Sequence, residues 1–124
     1  MILDSKFAIA WPKRMHNENR RQIRKRPGFV IDVVEIAVYL GEQTGEMISE
    51  RFVDAVDSTM DTLADMPGIG PLRDFNAPSL PGLRSWQVEG YRSYLMFYVH
   101  SDQTIDFVRV IHGSRDLHAI FDEQ

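Results

Sequence analysis

Arg84, Arg92, His112 and Arg115 are the residues of this chain whose types suit chemistry at a surface, and all four fall in its last third. Arginine's planar fork holds a phosphate or a carboxylate through two parallel hydrogen bonds. Several Arg along one sheet edge therefore suit an RNA backbone or an acidic peptide equally well. Unperturbed histidine titrates near neutrality, so His112 is the natural candidate for proton transfer. A plainer reading stands beside this one. His112 and Asp116 would fasten the last turn, while Arg84 and Arg92 would pair with acids across a sheet. Arg109 shares a strand face with Ile105 and Phe107 and reads as structural.

These groups ride on segments with strong strand character. Arg84–Val88, Tyr91–Val99 and Thr104–Ile111 are rich in aromatic and β-branched residues, and Glu89-Gly90 and His100-Ser101-Asp102-Gln103 connect them as hairpin turns. The last strand runs straight into the polar knot His112-Gly113-Ser114-Arg115-Asp116, which presents side chains at a sheet edge. Trp86, Tyr91, Tyr94 and Tyr98 suit stacking on bases. On strands covered by helices, the same residues serve as core or cross-strand pairs.

Upstream the apolar period changes to that of a helix. Phe29, Val33, Ile36, Ala37 and Leu40 share one face of a first helix, which Gly41 is expected to end. Thr44 is a plausible cap for a second helix that runs from about Glu46 to Asp65 and buries Ile48, Phe52, Ala55, Val56, Met60 and Leu63. Glu46, Glu50 and Asp54, then Asp57, Asp61 and Asp65, are expected on its outer side. Two helices with a short connection make an antiparallel hairpin whose apolar stripes need a further layer, and the strands supply it. Gln22–Arg26 reads as a short edge strand guarded by its basic side chains. The expected fold is α+β, with an N-terminal helical hairpin on an antiparallel sheet. The domain should span residues 21–124, behind a basic extension at 1–20.

Composition narrows the classes. The chain has 124 residues and no cysteine, which leaves no disulfide framework, thiolate metal site or thiol nucleophile. No apolar run approaches the ~20 residues of a membrane span. The histidines lack ligand spacing, so neither a metal nor a cofactor is expected. Residues 1–26 hold eight Lys or Arg against two acids, and residues 27–124 hold six Arg against sixteen acids. An acidic body of this kind opposes broad contact with a phosphate backbone.

Four motifs in order resemble the RelE/ParE toxins of bacterial type II toxin–antitoxin pairs, over roughly residues 21–121. They are Asp32-Val33-Val34-Glu35-Ile36 with Tyr39-Leu40; Leu63 to Gly70; Leu80-Pro81-Gly82-Leu83-Arg84 with Gly90-Tyr91-Arg92; and Arg109-Val110-Ile111-His112-Gly113-Ser114-Arg115-Asp116. The resemblance implies the same helical hairpin on a sheet, a bacterial cytoplasmic location and a cognate antitoxin as partner. It also implies a homodimer or a toxin–antitoxin heterotetramer. Arg84, Arg92, Tyr94, His112, Arg115 and Asp116 become the candidates for target or antitoxin contact.

Two branches are open. RelE-like members are ribosome-dependent mRNA endoribonucleases that use lysines on the first strand of the C-terminal sheet, two arginines and a C-terminal tyrosine. Carried over, Arg92 and Arg115 match the arginines, the lysine positions fall near Leu83 and Ser85 with Arg84 between them as a partial substitute, and the tyrosine position falls at Phe121. Arginine stays protonated, so His112 alone would remain as the base. ParE-like members share the fold without that catalytic set, and several trap DNA gyrase. The His-Gly-x-Arg-Asp ending resembles this branch more closely. A non-toxic, antitoxin-binding homologue is the third reading.

Overall fold

The computed structural model describes residues 20–122, so the expected basic extension lies outside the described residues except for Arg20. The elements are β1 (Gln22–Lys25), α1 (Pro27–Thr44), α2 (Glu46–Asp65), a 3-10 turn (Pro67–Ile69), β2 (Arg84–Val88), β3 (Tyr91–His100), β4 (Thr104–His112) and α3 (Leu117–Phe121). The sheet has four strands in the order β1-β4-β3-β2. Its C-terminal strands pair antiparallel, whereas β1 runs parallel to β4 with Gln22 opposite Thr104 and Lys25 opposite Phe107. The sheet is therefore mixed: the edge strand expected at Gln22–Arg26 forms, but in the parallel sense.

The helical hairpin covers one face. Phe29, Val33 and Ala37 of α1 and Phe52, Val56, Met60 and Leu63 of α2 pack on Met96, Tyr98, Ile105 and Phe107 from the sheet. Full burial of one such large apolar side chain contributes roughly 1.5–3 kcal/mol, which is why this shared seam dominates the fold. The opposite face has its own core, absent from the sequence reading. Phe97, Val108 and Ile111 meet Leu80 and Leu83 from the connector and Phe121 from α3. A β-bulge sets which β4 residues serve each face. The register steps from Phe97 opposite Arg109 to Tyr98 opposite Phe107, so Val108 is the extra residue and turns to the second core.

Three local expectations need correction. Gly41 does not end α1, which continues to Thr44. A Cβ at Gly41 would sit 3.3 Å from the Cβ of Ser49, so this glycine allows close approach of the helices; the actual break is Gly45, at φ 111°. Thr44 does not cap α2: its Oγ1 donates to the Leu40 carbonyl at 2.7 Å, within its own helix, and Gly45 holds the N-cap position. Nor do all six acids of α2 face outward. Asp57 is buried beside Lys25 of β1, and Asp61 takes the guanidinium of Arg20. The parallel strand and the residue leading into it thus engage two of the six acids.

Two ties hold the connector that carries the chain from α2 to β2. The Tyr98 hydroxyl donates to the Pro67 carbonyl at 2.5 Å and accepts from the Gly70 N–H at 3.2 Å. Arg84 Nη1 donates to the Gly70 carbonyl at 2.7 Å.

Candidate functional site

β4 ends at His112, and the chain reverses at once. The Arg115 N–H donates to the His112 carbonyl at 3.0 Å, and the Gly113 N–H to the Ser93 carbonyl at 2.7 Å. Inside that turn the His112 Nδ1 accepts the Ser114 N–H at 3.1 Å and lies 2.8 Å from the Ser114 Oγ. Tyr94 stands opposite His112 in register, and the two rings meet edge to face with centroids 5.1 Å apart. Asp116 then caps α3 by accepting the Ala119 N–H at 3.1 Å.

His112, Tyr94 and Arg115 share a cleft of about 210 Å³ with Glu35 and Tyr39 of α1. Its floor is an ion pair: Arg109 Nε and Nη2 fork onto Asp32 at 2.6 and 3.0 Å. The Asp32 hydrogen bond, and then its charge and that of Glu35, raise the Arg109 pKa against the opposing effect of burial, so this cation is permanent. Burial first, and the neighbouring Tyr39 second, push the Tyr94 hydroxyl pKa up, so the Tyr94 phenol stays a neutral donor at ordinary pH. The Arg115 guanidinium is exposed, with no ion-pair partner among the described residues. The cleft thus sets the Tyr39 and Tyr94 hydroxyls, the His112 ring and the Arg115 guanidinium beside the Glu35 carboxylate.

The other candidates lie elsewhere. Arg92 is exposed and lines a second cleft, of about 300 Å³, with Thr59 and Thr62 of α2, Trp86 and Glu89. The two clefts share no lining residue. Arg84 is half-buried and spends its guanidinium on the Gly70 and Gly68 carbonyls. The site residues expected together thus divide into His112, Tyr94 and Arg115 at one cleft, Arg92 at another, and Arg84 and Asp116 in backbone contacts. Tyr39 and Glu35 escaped the sequence reading. The signal for them was present, because Asp32, Glu35 and Tyr39 recur at i, i+3 and i+7 and so share one helical face.

The sequence model of the ParE toxin of the type II toxin–antitoxin system parDE matches residues 23–117, from β1 through both clefts to the start of α3. The chain belongs to the ParE toxin family. Among solved structures, the chromosomal ParDE toxin–antitoxin system from P. aeruginosa is similar in fold, with a TM-score of 0.60 at 14% identity, covering 77% of this chain and 98% of that one. No curated protein matches. Membership of the ParE family makes the chain a toxin component of the type II class.

Of the positions carried over from the RelE branch, the arginines Arg92 and Arg115 are exposed, whereas the lysine and tyrosine positions are buried. Leu83 and Ser85, at the lysine positions, are each 3% exposed, and Phe121, at the tyrosine position, is 1% exposed against Phe97 and Phe75. No group of three metal-binding side chains occurs among the described residues, and no described helix is long and apolar enough to cross a membrane.

Proposed function

We propose that this chain is a ParE-like toxin that acts by binding a cellular target in the bacterial cytoplasm, by analogy DNA gyrase, and is neutralised by a cognate antitoxin. The observation that carries this reading is the division of the candidate residues. Arg92 lines one cleft while His112 and Arg115 line another, and the tyrosine position is a buried phenylalanine. RNA cleavage by 2′-OH attack needs a base, charge stabilisation and a proton donor around one phosphate. Separate clefts suit a surface that grips a partner at two points. The antitoxin reading finds support in the exposed Ile31, Val38 and Tyr39 of α1, apolar anchors for a segment that orders on contact. Its acids would meet Arg92 or Arg84. A heterotetramer built on two such pairs, or a toxin homodimer, is the assembly to weigh in solution.

Induced expression of the chain without its antitoxin is the test. Growth arrest with filamentation, SOS induction and recoverable gyrase–DNA cleavage complexes is the expected result. Rapid cleavage of ribosome-bound mRNA without DNA damage would replace this reading with the ribonuclease. Neither response from folded protein would leave a non-toxic antitoxin-binding homologue.

A further inference from the structure

A backbone N–H has one role in a hydrogen bond: it donates. The Ser114 N–H is aimed at His112 Nδ1 across 3.1 Å, so that nitrogen must be the bare, accepting one. The Ser114 hydroxyl, 2.8 Å away, then becomes a second donor to the same lone pair. A neutral imidazole with a bare Nδ1 carries its single proton on Nε2. That nitrogen has no partner among the described residues, and the ring lines the cleft beside Tyr39, Tyr94 and Arg115.

We propose that Ser114 is a positioning residue that fixes His112 as a hydrogen-bond donor through Nε2, and that the cleft takes an uncharged carbonyl oxygen from a protein partner. Neither ring nitrogen is then free to accept a substrate proton, since Nδ1 is held by the turn and Nε2 is already protonated. The preference for an uncharged acceptor follows from the charges facing the ring. Asp32 is neutralised by Arg109, and the Glu35 and Arg115 charges on the same lining are opposite in sign, so no net positive charge calls for a carboxylate. His112, Tyr39 and Tyr94 nonetheless offer donors. A backbone or side-chain amide carbonyl meets them without a charge to balance. That the occupant is a protein rests on the function proposed above; the protonation pattern of the ring does not.

Long-range proton–nitrogen correlation through the carbon-bound ring protons of the full ¹⁵N-labelled chain reads the tautomer directly, with His112→Asn used for assignment. A bare Nδ1 and a protonated Nε2 are expected in the native chain. In Ser114→Ala the ratio of the two tautomers should fall severalfold, with the remaining spectrum unchanged. A protonated Nδ1 in the native chain overturns the proposal, and an unchanged ratio in S114A overturns the part given to the Ser114 hydroxyl. Titration with N-methylacetamide should move the His112 Nε2 and Tyr94 signals more than sodium acetate at equal concentration. A larger response to acetate overturns the uncharged occupant, and no response to either overturns the cleft as an acceptor site. A toxin that traps gyrase yet has Nδ1 protonated would keep the proposed function and lose this inference. An mRNA-cleaving toxin with Nε2 protonated would lose the proposed function and with it the protein occupant, and keep the protonation pattern.

Discussion

Asp32 of α1 holds Arg109 of β4 in a two-point fork, and the same carboxylate also accepts the Val110 N–H at 2.9 Å. The parallel pairing with β1 ends at Phe107, whose carbonyl takes the Arg26 N–H. Beyond that point the Asp32 side chain continues the ladder that β1 no longer reaches, and fastens the helical hairpin to the strand carrying His112.

Removing that carboxylate strands both a half-buried guanidinium and a buried backbone donor. Asp32→Ala should lower unfolding stability by about 2–3 kcal/mol, toward the low end for a broken buried pair because Arg109 keeps some solvent contact. Arg109→Ala should cost less, since Asp32 keeps the Val110 N–H. Urea denaturation of both variants checks the order. Equal losses would mean that the Val110 bond contributes nothing.

The connector should be intolerant at one glycine and indifferent at its neighbour. A Cβ on Gly70 would lie 2.5 Å from both the Ser85 carbonyl oxygen and the Tyr98 hydroxyl, whereas one on Gly68 would meet nothing within 4 Å. Gly70→Ala should therefore cost about 1–3 kcal/mol, as overpacked sites do. Gly68→Ala should fall within about 0.5 kcal/mol of the parent. Thermal unfolding of the pair decides it.

Tyr98 should make stability fall in alkali. Burial raises its pKa above the ordinary 10.0, despite the lowering effects of the Gly70 N–H and Arg84. The unfolded chain then gives up this proton first. The stabilisation is complete below about pH 10 and is lost as pH rises through the higher folded value. Lys25 works in the opposite sense: burial lowers its pKa from 10.5, so its unfavourable charge is relieved as pH rises. Comparison with Tyr98→Phe isolates the tyrosine. That variant should lose about 1–3 kcal/mol at neutral pH, because two backbone groups lose their partner, yet decline less steeply above pH 10. Parallel curves for the two proteins would assign the alkaline loss to another group.

Arg92→Ala and Arg115→Ala should each leave stability within about 0.5 kcal/mol, because both side chains are exposed. Each should weaken growth inhibition, and the double variant should combine the two losses additively because the clefts share no residue. Dose–response of induced expression, with circular dichroism as the folding control, measures this. Unfolding of both variants would make the arginines buttresses.

Hydrogen exchange with and without antitoxin should protect α1 and the sheet, while Glu46, Glu50 and Asp54 on the exposed side of α2 stay unchanged. Protection confined to that acidic side would place the partner on the other face.

The strands were legible because their aromatic and β-branched runs are bounded by clear turn residues, and Arg84–Val88 forms with the boundaries read from its sequence. Helix ends were less legible, because glycine serves both breaks and close approaches. Gly41 and Gly45 look alike in sequence, and only the position of Ser49 on α2 separates them. Asp57 went astray for a similar reason: its burial depends on Lys25, a residue 32 positions earlier brought beside it by the parallel strand. At the site, residue type revealed His112 and Arg115. The separation of Arg92 from them is a tertiary fact that no spacing encodes.

That parallel strand also sets a clock on synthesis. Gln22 has its neighbour at Thr104 and Lys25 at Phe107, so the earliest described strand has no sheet to join until β4 has been made. Contacts of such long reach form late and close slowly. An interrupted translation product can assemble the helical hairpin, but it has no β4, no His112 turn and no floor to the cleft. A cell making this protein meets its finished surface only after the codons for β4 and the His112 turn have been read.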